Sequence, residues 1–81
     1  MTLGDTVTIW EDENNRSYKV MYEYGKYRAY YLDNEDDHYY TWQPCRNFKP
    51  KDTFKEAEQD LKEWATKQNM RIFGSYEDVS F

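Results

Sequence analysis

Residues 52–69, DTFKEAEQDLKEWATKQN, decide the fold. Phe54, Ala57, Leu61, Trp64 and Ala65 recur with the spacing of one face of a 3.6-residue period, and Lys55, Glu56, Gln59, Asp60, Lys62, Glu63 and Lys67 fill the rest. This is an amphipathic helix. Thr53 followed by Glu56 three residues later forms a capping box, with Asp52 as the cap if the helix starts one residue earlier. Glu58 with Lys62 and Glu63 with Lys67 place acid before base at i,i+4, so the polar face reads as a solvated, self-stabilised surface.

Before this helix the chain reads as short strands that need its apolar face to pack against. TVTIWE, residues 6–11, alternates Val7 and Ile9 against Thr8 and Trp10, the period of a half-buried strand. The polar stretch 11–16 with Asn14 and Asn15 is a hairpin loop. Residues 17–24 and 27–32 are two β-rich runs separated by Gly25 and Lys26, which predicts a type II′ turn. That turn sets Glu23 opposite Arg28 and Val20 opposite Tyr31. It gathers Tyr18, Val20, Tyr22, Tyr24, Tyr27, Ala29 and Tyr31 on the helix-facing side, with Ala29 leaving room for Trp64. Residues 38–42 read as a fourth strand ended by Pro44, and 43–51 as a basic loop. Residues 70–73 read as a short fifth strand, followed by a tail that frays over 75–81. The expected fold is α+β in two layers, a four-stranded antiparallel meander with one helix across it (ββββα, plus the short last strand).

With 81 residues the chain holds one domain near the lower limit for a self-sufficient core. Phe, Ile, Leu and Val number only 12, a share that would suggest disorder, but nine Tyr and three Trp replace the missing aliphatic area. Cys45 is the single cysteine, so no intrachain disulfide forms, and no signal peptide or membrane-spanning run is visible; a reducing, cytoplasmic setting is expected. The net charge of −5 is uneven. Residues 1–42 carry nine acids against four bases, whereas 43–81 carry seven of each.

In an antiparallel meander the first and third connections emerge at the same end of the sheet. Glu11, Asp12, Glu13, Asp33, Glu35, Asp36 and Asp37 therefore form one negative pole, with Lys26, Arg28, Arg46 and Lys49 toward the other. Such a pole keeps a protein soluble, and it also suits a basic partner that expects phosphates, such as a nucleic-acid-binding protein. As a cation site it fails the EF-hand pattern, because with Asp33 as the first position the sixth and twelfth fall on His38 and Pro44 instead of Gly and Glu.

Other chemistry is thinly supported. Cys45 and His38 are the only residues of their kinds, too few for a zinc motif, and no oxyanion loop accompanies them as a nucleophile and base. Carboxylates on turns lack the fixed separation of a glycosidase pair, and three Gly give no phosphate-cradling loop. No metal, cofactor or catalytic residue is expected. The face away from the helix holds Met21, Tyr30 and Leu32 among Lys19, Glu23 and Arg28, with Trp10 or Trp42 added, and the two-layer plan leaves it uncovered. It is a second candidate surface, for self-association or for stacking single-stranded nucleic acid, although the charge of this half disfavours the latter. Val79, Ser80 and Phe81 have the make-up of a strand added to a partner's sheet, but short apolar ends of this kind are far too common to count. The expectation is a small acidic protein that binds another protein without catalysis, of the inhibitor type that phages and mobile elements carry.

Overall fold

The computed structural model describes residues 6–33 and 41–77. Five strands, β1 (Thr6–Glu11), β2 (Arg16–Glu23), β3 (Lys26–Asp33), β4 (Gln43–Pro44) and β5 (Arg71–Glu77), form one antiparallel sheet in the order β4-β3-β2-β1-β5. One helix, α1 (Phe54–Lys67), packs on it, so the architecture is the expected α+β meander with its fifth strand.

Both ends of α1 are closed by local chemistry. At the start, Thr53 Oγ1 accepts from the Glu56 amide at 3.2 Å and donates to the Glu56 carboxylate at 3.0 Å. At the end, Asn69 takes the left-handed conformation (φ 57°), the Asn69 amide donates to Thr66 O and the Met70 amide to Ala65 O. That 6→1 and 5→2 pair is a Schellman closure, and it turns Met70 back onto the core. Ala57, Leu61 and Ala65 are buried against Trp10, Tyr18, Val20, Ala29 and Cys45. The aromatic rings complete this thin core. Trp64 meets Tyr18 edge-on at 5.3 Å and Phe48 at 5.5 Å, and Phe54 meets Tyr27 at 6.0 Å.

Several expectations need correction. The β2–β3 turn is centred on Tyr24 and Gly25, both at positive φ (54° and 78°), which is the type I′ pattern instead of II′. Glu23 therefore pairs with Lys26, Met21 with Arg28 and Val20 with Ala29. The slide is by two residues. An even slide leaves every side chain on its expected face, so Tyr18, Val20, Ala29 and Tyr31 still look toward α1. Tyr24 does not join them, because it occupies the turn and is 93% exposed.

The fourth strand lies at Gln43–Pro44 instead of 38–42; of that stretch, 38–40 fall outside the described residues, and Thr41 and Trp42 have no strand pairing. Pro44 is tolerated because β4 is an edge, where a missing amide costs no ladder bond. The fifth strand runs through Glu77, so residues 75–77 are not a fraying tail. They pair with Thr6–Thr8 of β1. Trp10 lies with the helix-facing core, opposite Tyr18. The face away from α1 is also less bare than expected. Val7 and Tyr30 are buried there, Met21 and Leu32 are half-buried, and the Lys19 ammonium lies over the rings of Trp42 (4.7 Å) and Tyr76 (5.1 Å).

Burial raises three neutral acids together. The Tyr18 hydroxyl is pushed from the ordinary 10 to about 12 by desolvation, then by its bond to Asp12; Tyr30 reaches about 12 by desolvation, then by Glu23. The Cys45 thiol is pushed from 9 to about 11 by desolvation. Each folded value lies above the unfolded one, so the stability these groups contribute is complete below about pH 9 and drains away as pH rises toward 12. The urea midpoint should hold level up to about pH 9 and fall steadily above it, with two tyrosines titrating late in ultraviolet absorbance. A flat midpoint up to pH 11 would contradict this burial.

Candidate interaction surfaces

The first candidate is the acidic end, where the β1–β2 loop and the end of β3 lie together. Asp12 anchors the loop. Its Oδ1 accepts from the amides of Asn14 (2.9 Å) and Arg16 (3.0 Å), and its Oδ2 accepts from the Tyr18 hydroxyl (2.8 Å). Asn15 completes the turn at φ 61°. Glu11 is only 9% exposed and accepts from Arg71 Nε at 2.9 Å, while Asp33 lies 3.8 Å from Arg16. Glu13 is exposed and makes no ion pair among the described residues. Glu35, Asp36 and Asp37 lie outside the described residues. The fold thus brings Glu11, Asp12, Glu13 and Asp33 to one end, and brings Arg16 and Arg71 there as well. Three of those four carboxylates hold the structure together. Arg46, expected at the opposite pole, shares a cleft with Arg16, Tyr31 and Trp64.

The second candidate is the edge strand β5, which the sequence did not single out. Ile72 is 61% exposed, Phe73 66% and Tyr76 40%. Ile9 pairs with Gly74 and Trp10 with Ile72, so a bulge leaves Phe73 without a partner on β1. The opposite edge strand, β4, is only two residues long. Beyond β3, the Cys45 amide donates to Ala29 O, and Tyr27 and Lys51 exchange two backbone bonds of 2.7 and 2.8 Å. The seven residues of β5 therefore present edge backbone with the exposed side chains of Ile72, Phe73 and Tyr76, whereas β3 is lined along its outer side by the chain's own 43–51 segment.

The third candidate is a recess of about 230 Å³ beside the β2–β3 turn, walled by Tyr24, Tyr30, Pro44 and Pro50 around Arg28. Lys26 there is paired with Asp52, and Glu23 accepts from the Tyr30 hydroxyl. Met21, Tyr30 and Leu32, the expected alternative surface, are not brought into one open patch, because Tyr30 is 6% exposed.

Among the described residues, no three His, Cys, Asp or Glu side chains converge as a metal site, and no helix is long and apolar enough to cross a membrane. The chain matches no protein-family model, and comparison with curated proteins and with solved structures likewise found no match.

Proposed function

We propose that this domain is a non-catalytic protein-binding module that accepts a β-strand of another protein chain along β5. One observation carries the reading: a seven-residue edge strand that exposes Ile72, Phe73 and Tyr76. Edge strands of monomeric proteins are normally short, charged or covered, because an open row of amides and carbonyls templates pairing. Main-chain bonds to an added strand supply affinity, and Ile72 and Phe73 supply the apolar contact. The single cysteine, buried as a free thiol, suits a reducing, cytoplasmic setting.

The rival reading is an inhibitor of the phage or mobile-element type, whose acidic loops occupy a basic, nucleic-acid-binding surface. It rests on Glu13 with Glu35, Asp36 and Asp37, since Glu11, Asp12 and Asp33 have structural partners. One experiment separates the two. Tagged wild type, an Ile72→Lys/Phe73→Lys variant and a variant neutralised at Glu13, Glu35, Asp36 and Asp37 are used for capture from lysate across a salt series, beside sedimentation of each protein alone. The β5 reading expects the partner, or self-association, to survive high salt and neutralisation and to be lost with the two lysines. Loss with salt and with neutralisation instead would pass the role to the acidic end. If the two lysines change nothing in either measurement, β5 is not the binding strand.

A further inference from the structure

Two unrelated observations meet at the recess beside the β2–β3 turn. The first is Tyr24, a bulky non-glycine residue held at φ 54° in a position where Asn or Gly would sit without strain. Left-handed backbone is disfavoured for an ordinary residue, and strain of this kind gathers at sites where a side chain is being presented. Tyr24 is 93% exposed, so the strain is not offset by burying the ring. The second is Arg28. The two-residue slide of the hairpin removes it from Glu23, its expected cross-strand partner, and leaves it opposite Met21. Arg28 is half-buried, lines the recess and makes no hydrogen bond or ion pair among the described residues, while the recess's other charges, Lys26 and Glu23, are engaged by Asp52 and Tyr30.

We propose that this recess is a receptor for one carboxylate side chain from an acidic segment of a partner protein, with the Arg28 fork taking both oxygens and Tyr24 packing along the stem. A planar guanidinium with free donors matches a carboxylate in bidentate geometry. Tyr and Arg are the side chains that anchor protein interfaces. The volume of about 230 Å³ is small for a cofactor or drug-sized ligand, which needs several hundred, but suffices for one side chain. Glu23 at the rim favours a singly charged oxyanion over the dianionic form of phosphate. The recess lies at the β3–β4 edge and is independent of what β5 binds.

The test uses the full chain labelled with ¹⁵N and follows the Arg28 Nε–Hε resonance. The probes are the blocked peptide Ac-Ala-Ala-Glu-Ala-Ala-NH2, its Gln counterpart and inorganic phosphate. The Glu peptide should shift Arg28 saturably with a Kd on the order of millimolar, and the Gln peptide and phosphate should not. Arg28→Lys keeps the charge but loses the fork, and, followed at the backbone amides of Tyr24 and Gly25, should weaken binding about tenfold. Tyr24→Asn relieves the turn, so it should raise the melting temperature while weakening the peptide roughly threefold, a pairing of signs that a purely structural role does not produce. An Arg28 resonance unmoved by the Glu peptide up to about 20 mM, or moved equally by the Gln peptide or by phosphate, would overturn the proposal.

Discussion

Leu61→Ala is expected to lower the unfolding free energy by about 3–4 kcal/mol. Leu61 is 0% exposed, at the centre of the helix face between Ala57 and Ala65, and it fills the space above Val20 and Ala29. Its neighbours are small or already committed. Two alanines and a cysteine cannot expand into the gap, and the rings of Tyr18 and Trp64 are fixed by one another, so the cavity should persist. A domain of this size has roughly 4–12 kcal/mol in total, so the variant should lose about a quarter or more of its stability in urea melts. Ile72→Ala is the control. That side chain is 61% exposed on the sheet edge and should change stability by less than about 0.5 kcal/mol. A Leu61→Ala loss below about 1 kcal/mol would mean that the helix does not seal the sheet as described.

Asp12→Ala is expected to cost about 2–3 kcal/mol despite lying in a polar loop. The carboxylate accepts from two loop amides and from the Tyr18 hydroxyl, and Tyr18 is 6% exposed. Removing it frees the turn and leaves a phenol in the core without its acceptor. Asp12→Asn keeps an oxygen for the amides and should recover much of the loss, so the pair distinguishes geometry from charge. The alanine variant should also lower the Tyr18 pKa from about 12, because hydrogen bonding and charge from Asp12 both add to the upward effect of burial. An unchanged melt in the alanine variant would return Asp12 to the role of a simple surface charge.

How far the sequence exposed this arrangement differs between elements. The helix was legible because its signals are local: period, cap and end all lie between Thr53 and Asn69. The hairpin faces were legible for a different reason, since any slide by an even number of residues preserves them. The register itself was not, because it depends on a tyrosine accepting backbone that sequence preference assigns to glycine or asparagine. Strand β5 was underestimated because Arg71, Gly74, Ser75 and Glu77 are weak strand formers, and their pairing with β1 arises only after the helix has returned the chain to that edge. The acidic pole was legible as composition and misleading as surface. Arg71 reaches Glu11 across 60 positions, and no reading of loops one at a time anticipates that neutralisation.

The short edge beyond β3 has a consequence for assembly. Among the described residues, 43–51 line that side with Pro44 and the Tyr27–Lys51 bonds, and its edge strand β4 is only two residues long against seven for β5. Filaments grow when each added unit carries one flank to dock with and another to be docked upon. Here a strand laid against β5, whether from a stranger or from a sister chain, consumes the one long edge among the described residues. Two sister chains joined this way would be related by a two-fold axis and would stop at a pair. Opening the far side, for instance by deleting the proline-bearing segment, would turn a terminating contact into a propagating one.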